Sequence, residues 1–267
     1  MRALAWRLGR LLSRWARREG DNDPRSNGEH WLLDQMAAAA GCEAPVLVDG
    51  GARLGDWSAA ALRALRHHGR GGHIHACEPV RATFEHLAHR FAGERSVTVH
   101  PIALSDRSGP SRMFVPALLS GTSSLHPIAG AAVEPARLAS LDELFAEAGI
   151  GRVAIVKTDT EGHDLTVLRG AQQALGAGRI DVWQFEYNHR WLANGASLMS
   201  VFELIEHLPY RFGKLYGNGI ELYEEWHFEL DRFVETNCVL VRVGGPYEGL
   251  GRPMRFDGRN VARQVRR

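Results

Sequence analysis

The chain has 267 residues, 45% hydrophobic and 24% charged, an ordinary globular composition that excludes disordered, collagenous and coiled-coil classes and is long enough to bury a real core. No stretch reaches the ~18 apolar residues of a membrane-spanning helix, and the widely spaced Cys42, Cys77 and Cys238, with no C-x-x-C, fit a reducing, cytoplasmic compartment better than a disulfide framework or a zinc site. The formal charge is +1, but residues 1–20 and 252–267 each carry +5 and leave −9 on the 231 residues between them, so no nucleic-acid partner is expected for that body.

Residues 1–28 read as a basic amphipathic helix and linker. At about 100° per residue, Arg7, Arg10, Arg14, Arg17 and Arg18 share one arc of a helical wheel, and Leu4, Leu8, Leu11, Leu12 and Trp15 fill the adjoining arc, with Trp6 off it. Such a helix lies on an anionic membrane surface or packs its leucines on its own domain or a partner, and the pattern leaves both open. Arginine interrupts every apolar run, so a secretory signal is not expected. Residues 19–28 are turn-rich and suit a hinge.

From residue 45 onward, β-branched runs alternate with helical patterns. Strands are predicted at 46–49, 73–78, 97–102, 153–158, 180–186 and 238–243, and helices near 57–67, 81–91, 164–175 and 198–207. This alternation predicts an α/β domain over residues 29–247, with a mainly parallel sheet and helices on both faces. Ser140 and Glu143 form a capping box before a short helix. Residues 109–135 read as an excursion with a strand near 112–115, and residues 248–267 as a basic tail.

The segment VLVDGGARLGDW carries the chain from the first strand through glycines into a helix, the turn where a nucleotide-like cofactor lies in a doubly wound sheet. A dinucleotide fingerprint aligned on Gly55 places Ala52 at its central glycine. A D-x-G-x-x-x-G template is met by Asp49, Gly51 and Gly55, with the acid placed to take the amino group of a methionine-like cofactor. Glu78 ends the second strand, where both cofactor classes put a carboxylate on ribose hydroxyls. These sites favour S-adenosylmethionine over NAD.

The segment VAIVKTDTEGHDLTVLRGA delivers Lys157, Asp159 and Glu161 at alternate positions of one strand, before Gly162 breaks it. Isolated charges at a strand end are usually solvated ion pairs. Three together stand out because Lys157 is one of only two lysines, with Lys214, among 32 basic residues. Charges at the carboxyl end of a central strand sit beside the cofactor crevice.

Over roughly residues 45–243 the chain resembles the FkbM-type S-adenosylmethionine-dependent methyltransferases. The motifs that carry the resemblance are DGGARLG from Asp49, Cys77-Glu-Pro79, Ala103-Leu-Ser-Asp106 with Gly109, Gly121-Thr-Ser-Ser124, Ser140-Leu-Asp142, and Lys157-Thr-Asp-Thr-Glu-Gly162 with Val167-Leu-Arg-Gly170. Phe185-Glu-Tyr-Asn188 and Thr236-Asn-Cys-Val-Leu240 complete the set. Arg53 stands where the family commonly has asparagine, and Thr158 and Thr160 replace its usual aliphatic residues. The resemblance implies a class I methyltransferase, Rossmann-like fold with a mainly parallel seven-stranded sheet whose last strand is antiparallel. It also implies cofactor binding by Asp49, Gly51, Gly55, Glu78 and Asp106, with Ala103 and Leu104 enclosing the adenine.

Family members are linked to O-methylation of sugars and hydroxylated natural products, so a small-molecule, glycolipid or polysaccharide-precursor hydroxyl is the expected acceptor. A hydroxyl needs a base as it attacks. Asp159, Glu161 and Glu186 are the candidates, His163 is next, and Lys157 tunes or pairs with a neighbouring carboxylate. Paired carboxylates could also hold a divalent cation, which the spacing leaves open. The alternatives are an NAD-linked oxidoreductase and a non-catalytic, membrane-tethered nucleoside-binding protein. Several features read as structural: His73 with His75 as a sheet pair, Tyr210 and Lys214 as a chance Y-x-x-x-K on a strand, and Trp183, Trp226 and Tyr223 as core rather than a sugar-stacking face.

Overall fold

The computed structural model describes residues 1–39 and 44–265, and Cys42 lies outside them. The basic segment forms α1 (Arg2–Arg17), followed by α2 (Glu29–Ala39). A first alternating unit comprises β1 (Val46–Gly50), α3 (Asp56–His67), β2 (His73–Cys77), α4 (Arg81–Arg90) and β3 (Val97–His100). Then come β4 (Ala103–Ser105), β5 (Gly109–Val115), β6 (Ala132–Ser140) and α5 (Leu141–Glu147). A second unit holds β7 (Val153–Thr158), α6 (Asp164–Arg169), α7 (Gln172–Gly176) and β8 (Ile180–Tyr187). A 3-10 turn (His189–Asn194), α8 (Leu198–Ile205), β9 (Tyr210–Tyr216), β10 (Gly219–Tyr223), β11 (Thr236–Arg242), β12 (Gly251–Phe256) and β13 (Ala262–Gln264) follow.

The α/β architecture is as the sequence predicts. Strands β3-β2-β1-β7-β8 are parallel neighbours, and β11 runs antiparallel between β8 and β9. The expected strand count is corrected, because the sheet has ten strands rather than seven: β10, β12 and β13 continue past β9. The first of these is a hairpin partner, Tyr216 pairing with Gly219 around the two-residue turn Gly217-Asn218. The other two come from the segment read as a basic tail. A separate small sheet, β4-β6-β5, contains the excursion predicted over residues 109–135 and extends beyond it at both ends.

Alternate residues of the central strands enter opposite cores. Val48, Val156 and Trp183 face one hydrophobic cluster, while Leu47, Ile155 and Val182 face the other. The helix predicted over 164–175 is broken in two. A Cβ at Gly170 would lie 1.9 Å from the Ser105 carbonyl oxygen, so the chain packs directly on β4 there, and Asp142 accepts from the Gln173 and Ala174 N–H groups at 2.9 Å to restart the helix. The capping serine holds as expected, Ser140 Oγ accepting from Glu143 N at 3.1 Å. Cys77 and Cys238 are buried and free.

Candidate active site

The glycine turn after β1 is built for close backbone packing. Gly51 has φ +77°, and a Cβ there would sit 2.2 Å from the Asp159 carbonyl oxygen, so only glycine fits. The Gly51 and Ala52 N–H groups both donate to the Cys77 carbonyl at 3.0 Å, tying the turn to the end of β2. Gly55 (φ +80°) precedes α3, and a Cβ there would meet Phe91 and Leu87 within 2.6 Å. Its lack of a side chain serves helix packing. Asp49 is fully buried, accepts from Ser58 Oγ at 2.6 Å and keeps Oδ1 unpartnered. Burial pushes its carboxyl pKa up, against the pull of Lys157.

A cavity of about 500 Å³ opens over the carboxyl ends of β1, β2 and β7. Its lining includes Gly51, Glu78, Ala103 and Leu104 together with Lys157, Asp159, Glu161 and His163. Glu78 is 6% exposed and accepts from the Arg53 and Val80 N–H groups, each at 2.9 Å. Burial raises its pKa to about 7 even so. Four predicted residues are not in the lining: Asp49 and Gly55, which act from behind the wall; Glu186; and Asp106, which is exposed.

The environment separates the charged candidates from one another. Lys157 Nζ lies 3.3 Å from Asp159 Oδ2. Burial works against the ammonium, but Asp159 and Asp49 together hold its pKa above the ordinary lysine value. Burial likewise opposes the Asp159 carboxylate, yet Lys157 and a hydrogen bond with Glu186 keep its pKa low. Glu186 goes the other way: burial and the charge of Asp159 push its pKa up, and the protonated carboxyl sits between Asp159 and Glu235.

Glu161 stands apart from that row. It adopts φ +57° and its Oε2 lies 2.5 Å from Arg190 Nη1. Burial and then the charge of Asp159 raise its pKa to about 7, with Arg190 opposing. His163 is bound through Nε2 to Ser105 Oγ at 3.0 Å, its Nδ1 is unpartnered, and burial lowers its pKa to about 4, so it is neutral. Arg190 and Asn188 thus take part: Asn188 Oδ1 accepts from Arg190 N at 2.8 Å, and its amide donates to Glu186.

The readings of structural residues also have definite places. Tyr210 and Lys214 lie on β9, where the hydroxyl donates to the Ile180 carbonyl and Lys214 pairs with Glu19. They are therefore tied up in the fold. His75 Nδ1 meets His100 Nε2 at 3.0 Å in the sheet. Among the described residues, no group of three or more His, Cys, Asp or Glu is arranged to hold a metal ion.

Sequence reasoning missed one part of the cavity. Asn22, Pro24, Glu29 and His30, from the segment read as a hinge and the start of α2, line it together with Trp57 and Arg63. Nothing local in that segment marks a ligand wall, since it reaches the cavity only through tertiary packing. Ser123, from the Gly121–Ser124 motif, also lines the cavity with its buried hydroxyl unpartnered.

The family described as the methyltransferase FkbM domain matches residues 49–217 of this chain. No curated protein matches the sequence. Among solved structures, a methyltransferase FkbM from Methylobacillus flagellatus is 17% identical with a TM-score of 0.49, the match covering 74% of this chain and 43% of that one. An rRNA methylase from Streptococcus thermophilus is 11% identical at a TM-score of 0.42, over 79% of this chain and 93% of the other. A SAM-dependent methyltransferase from Agrobacterium tumefaciens is 12% identical at 0.44, over 81% and 61%. This chain thus spans less than half the length of the first of these proteins.

Proposed function

The chain belongs to the FkbM methyltransferase family, and on that footing we propose that it transfers a methyl group from S-adenosylmethionine to a hydroxyl of a sugar, a glycolipid or polysaccharide precursor, or a natural product. The observation that carries the reading is that Glu78, at the end of the second strand, and the Asp159 and Glu161 carboxylates after β7 line one and the same cavity.

The residues present suit the cofactor. Glu78 is fixed by two backbone N–H groups with its oxygens at the cavity, as a ribose-diol acceptor must be. Ala103 and Leu104 supply an apolar surface for the adenine. The glycine at position 51 keeps the floor free of side chain, and the acidic wall complements a cation. When bound, the cofactor supplies a methyl group on a positively charged sulfur.

Glu161 is the base. It faces the cavity, and a pKa of about 7 leaves it ionised in part at neutral pH while still basic enough to take a hydroxyl proton. Asp159 is locked against Lys157, Glu186 holds its proton, and neutral His163 is too weakly basic to compete. The fixed pair of Lys157 and Asp159 sets the local charge and positions the acceptor within the ~3–3.5 Å that in-line transfer needs.

Thermal shift tests the cofactor. S-adenosylhomocysteine is expected to stabilise the protein and NAD to leave it unchanged, whereas stabilisation by NAD alone overturns the reading. Labelled cofactor incubated with fractionated extract, followed by mass analysis of the product, identifies the acceptor. Label on an amine overturns the hydroxyl assignment.

A further inference from the structure

We propose that α1 is an anionic-bilayer docking element held at a fixed position on the body. The helix carries Leu4, Trp6, Leu8, Leu11, Leu12 and Trp15 at 54–80% exposure and has no buried residue. Over its 16 residues, about 24 Å of helix, it bears five arginines and no acid. An apolar stripe beside an unbroken cationic stripe matches the two layers of an anionic lipid surface, acyl chains below and phosphates above.

A second observation comes from the sheet. The basic N- and C-terminal segments, far apart in sequence, are brought to the same edge. The base of α1 is clamped onto β9 and β10: Lys214 Nζ pairs with Glu19 at 2.7 Å, and Arg18 lies 4.1 Å over the Tyr216 ring and 3.6 Å from Glu221. Arg17 pairs with Glu229 at 2.8 Å. Next to β10 runs β12, then β13, and these strands and their turn expose Arg252, Arg255, Arg259 and Arg263. The other residues carry −9, so an anionic surface attracts this edge and repels the rest, which gives the molecule one orientation.

The clamp has a consequence for the cavity. Asn22, a cavity residue, is five positions beyond Arg17, a reach of at most about 17 Å. Docking through α1 therefore holds the cavity near the lipid surface. The proposal does not depend on which reaction the cavity performs.

Co-sedimentation of the full chain with vesicles tests it. Vesicles of phosphatidylcholine with phosphatidylglycerol are expected to pellet the protein and vesicles of phosphatidylcholine alone are not, with binding weakened by added salt. Replacing Arg7, Arg10 and Arg14 by Gln is expected to lower the partition coefficient on the order of a hundredfold, at about 1 kcal/mol per charge. Leu8→Glu with Leu11→Glu is expected to abolish pelleting while the melting temperature stays within error, because neither side chain is buried. Equal pelleting with both vesicle types, or pelleting with neither, overturns the proposal. So does a dimer in sedimentation velocity that Leu8→Glu and Leu11→Glu convert to monomer, since a second copy would then cover the apolar stripe.

Discussion

Glu161 and Arg190 offer a direct test of the assignment of the base, because their interaction can be removed from one side. In the native protein, burial and the charge of Asp159 raise the Glu161 pKa to about 7 against the opposing guanidinium 2.5 Å away. Arg190→Gln takes away the opposing charge, so the titration should move further up. The guanidinium is 37% exposed, so water already screens part of the attraction and the expected rise is on the order of 1 pH unit. Carbon-detected NMR of the carboxyl side chains reads this without any acceptor, with the Glu161 signal assigned by its loss in Glu161→Gln. The sign for stability is opposite to that for activity. Folding holds the proton more tightly than the unfolded chain does, so the contribution of Glu161 to stability is full below the ordinary value of 4.5 and is lost as pH rises through about 7. Its competence as a base appears over the same interval. A wild-type midpoint near the ordinary glutamate value, or one that Arg190→Gln leaves in place, excludes Glu161 as a base tuned by these two neighbours.

With the acceptor identified, Glu161→Gln should lower kcat by ~10²–10⁴ and flatten the rise of activity through neutral pH, as steady-state assays across pH would show; a variant with the native profile excludes the role. Glu78→Ala is expected to weaken S-adenosylhomocysteine binding by roughly tenfold or more, the loss of hydrogen bonds to a charged acceptor, as measured by calorimetry. Gly51→Ala must displace the Asp159 carbonyl and adopt a left-handed φ, so a loss of about 1–3 kcal/mol and of cofactor binding is expected in denaturant titration. Lys214→Met leaves buried Glu19 with Arg17 as its remaining cation and should cost about 1–3 kcal/mol, while the double variant Glu19→Met, Lys214→Met should recover part of that; a double variant as unstable as the single one counts against the clamp.

The strands of the central sheet were legible because each is a short run between helical patterns, and burial on both faces keeps most of their residues apolar. The edge was not. The β12 sequence GRPMRF carries arginine and proline where a central strand would be apolar, since it lies one strand in from the edge and only the short β13 follows it. The Gly217-Asn218 hairpin did carry a local turn signal. In the site, motif spacing located Glu78 and the charged strand end but could not tell a residue that faces the cavity from one that supports it. Asp49 and Gly55 satisfy a cofactor template, yet one is sealed under Ser58 and the other is a packing glycine. The hydroxyl of Thr158, which looks like a weakening of the strand in sequence, accepts from Trp183 Nε1 at 3.2 Å. A buried indole on the next strand needs that acceptor, and no single-strand pattern shows it.

Strand alternation would set Lys157, Asp159 and Glu161 in one row with equivalent surroundings, and three charges in such a row would neutralise one another in pairs. The row is broken because β7 ends at Thr158, the chain turns left-handed at Glu161, and Gly162 continues the turn with φ +90°. A Cβ at Gly162 would meet the Arg190 carbonyl at 2.7 Å, so glycine there is what lets the turn pack against the 3-10 segment that carries Arg190. The turn hands Glu161 from the lysine to the arginine, and the two partners differ in a way that matters. Lys157 is buried and shared between Asp159 and Asp49, whereas the Arg190 guanidinium is over a third exposed and holds its carboxylate less firmly. That difference leaves Asp159 a fixed charge and Glu161 a titrating one. The sequence thus contains two acids at two and four residues from a lysine, and the backbone reversal between them gives them different chemistry.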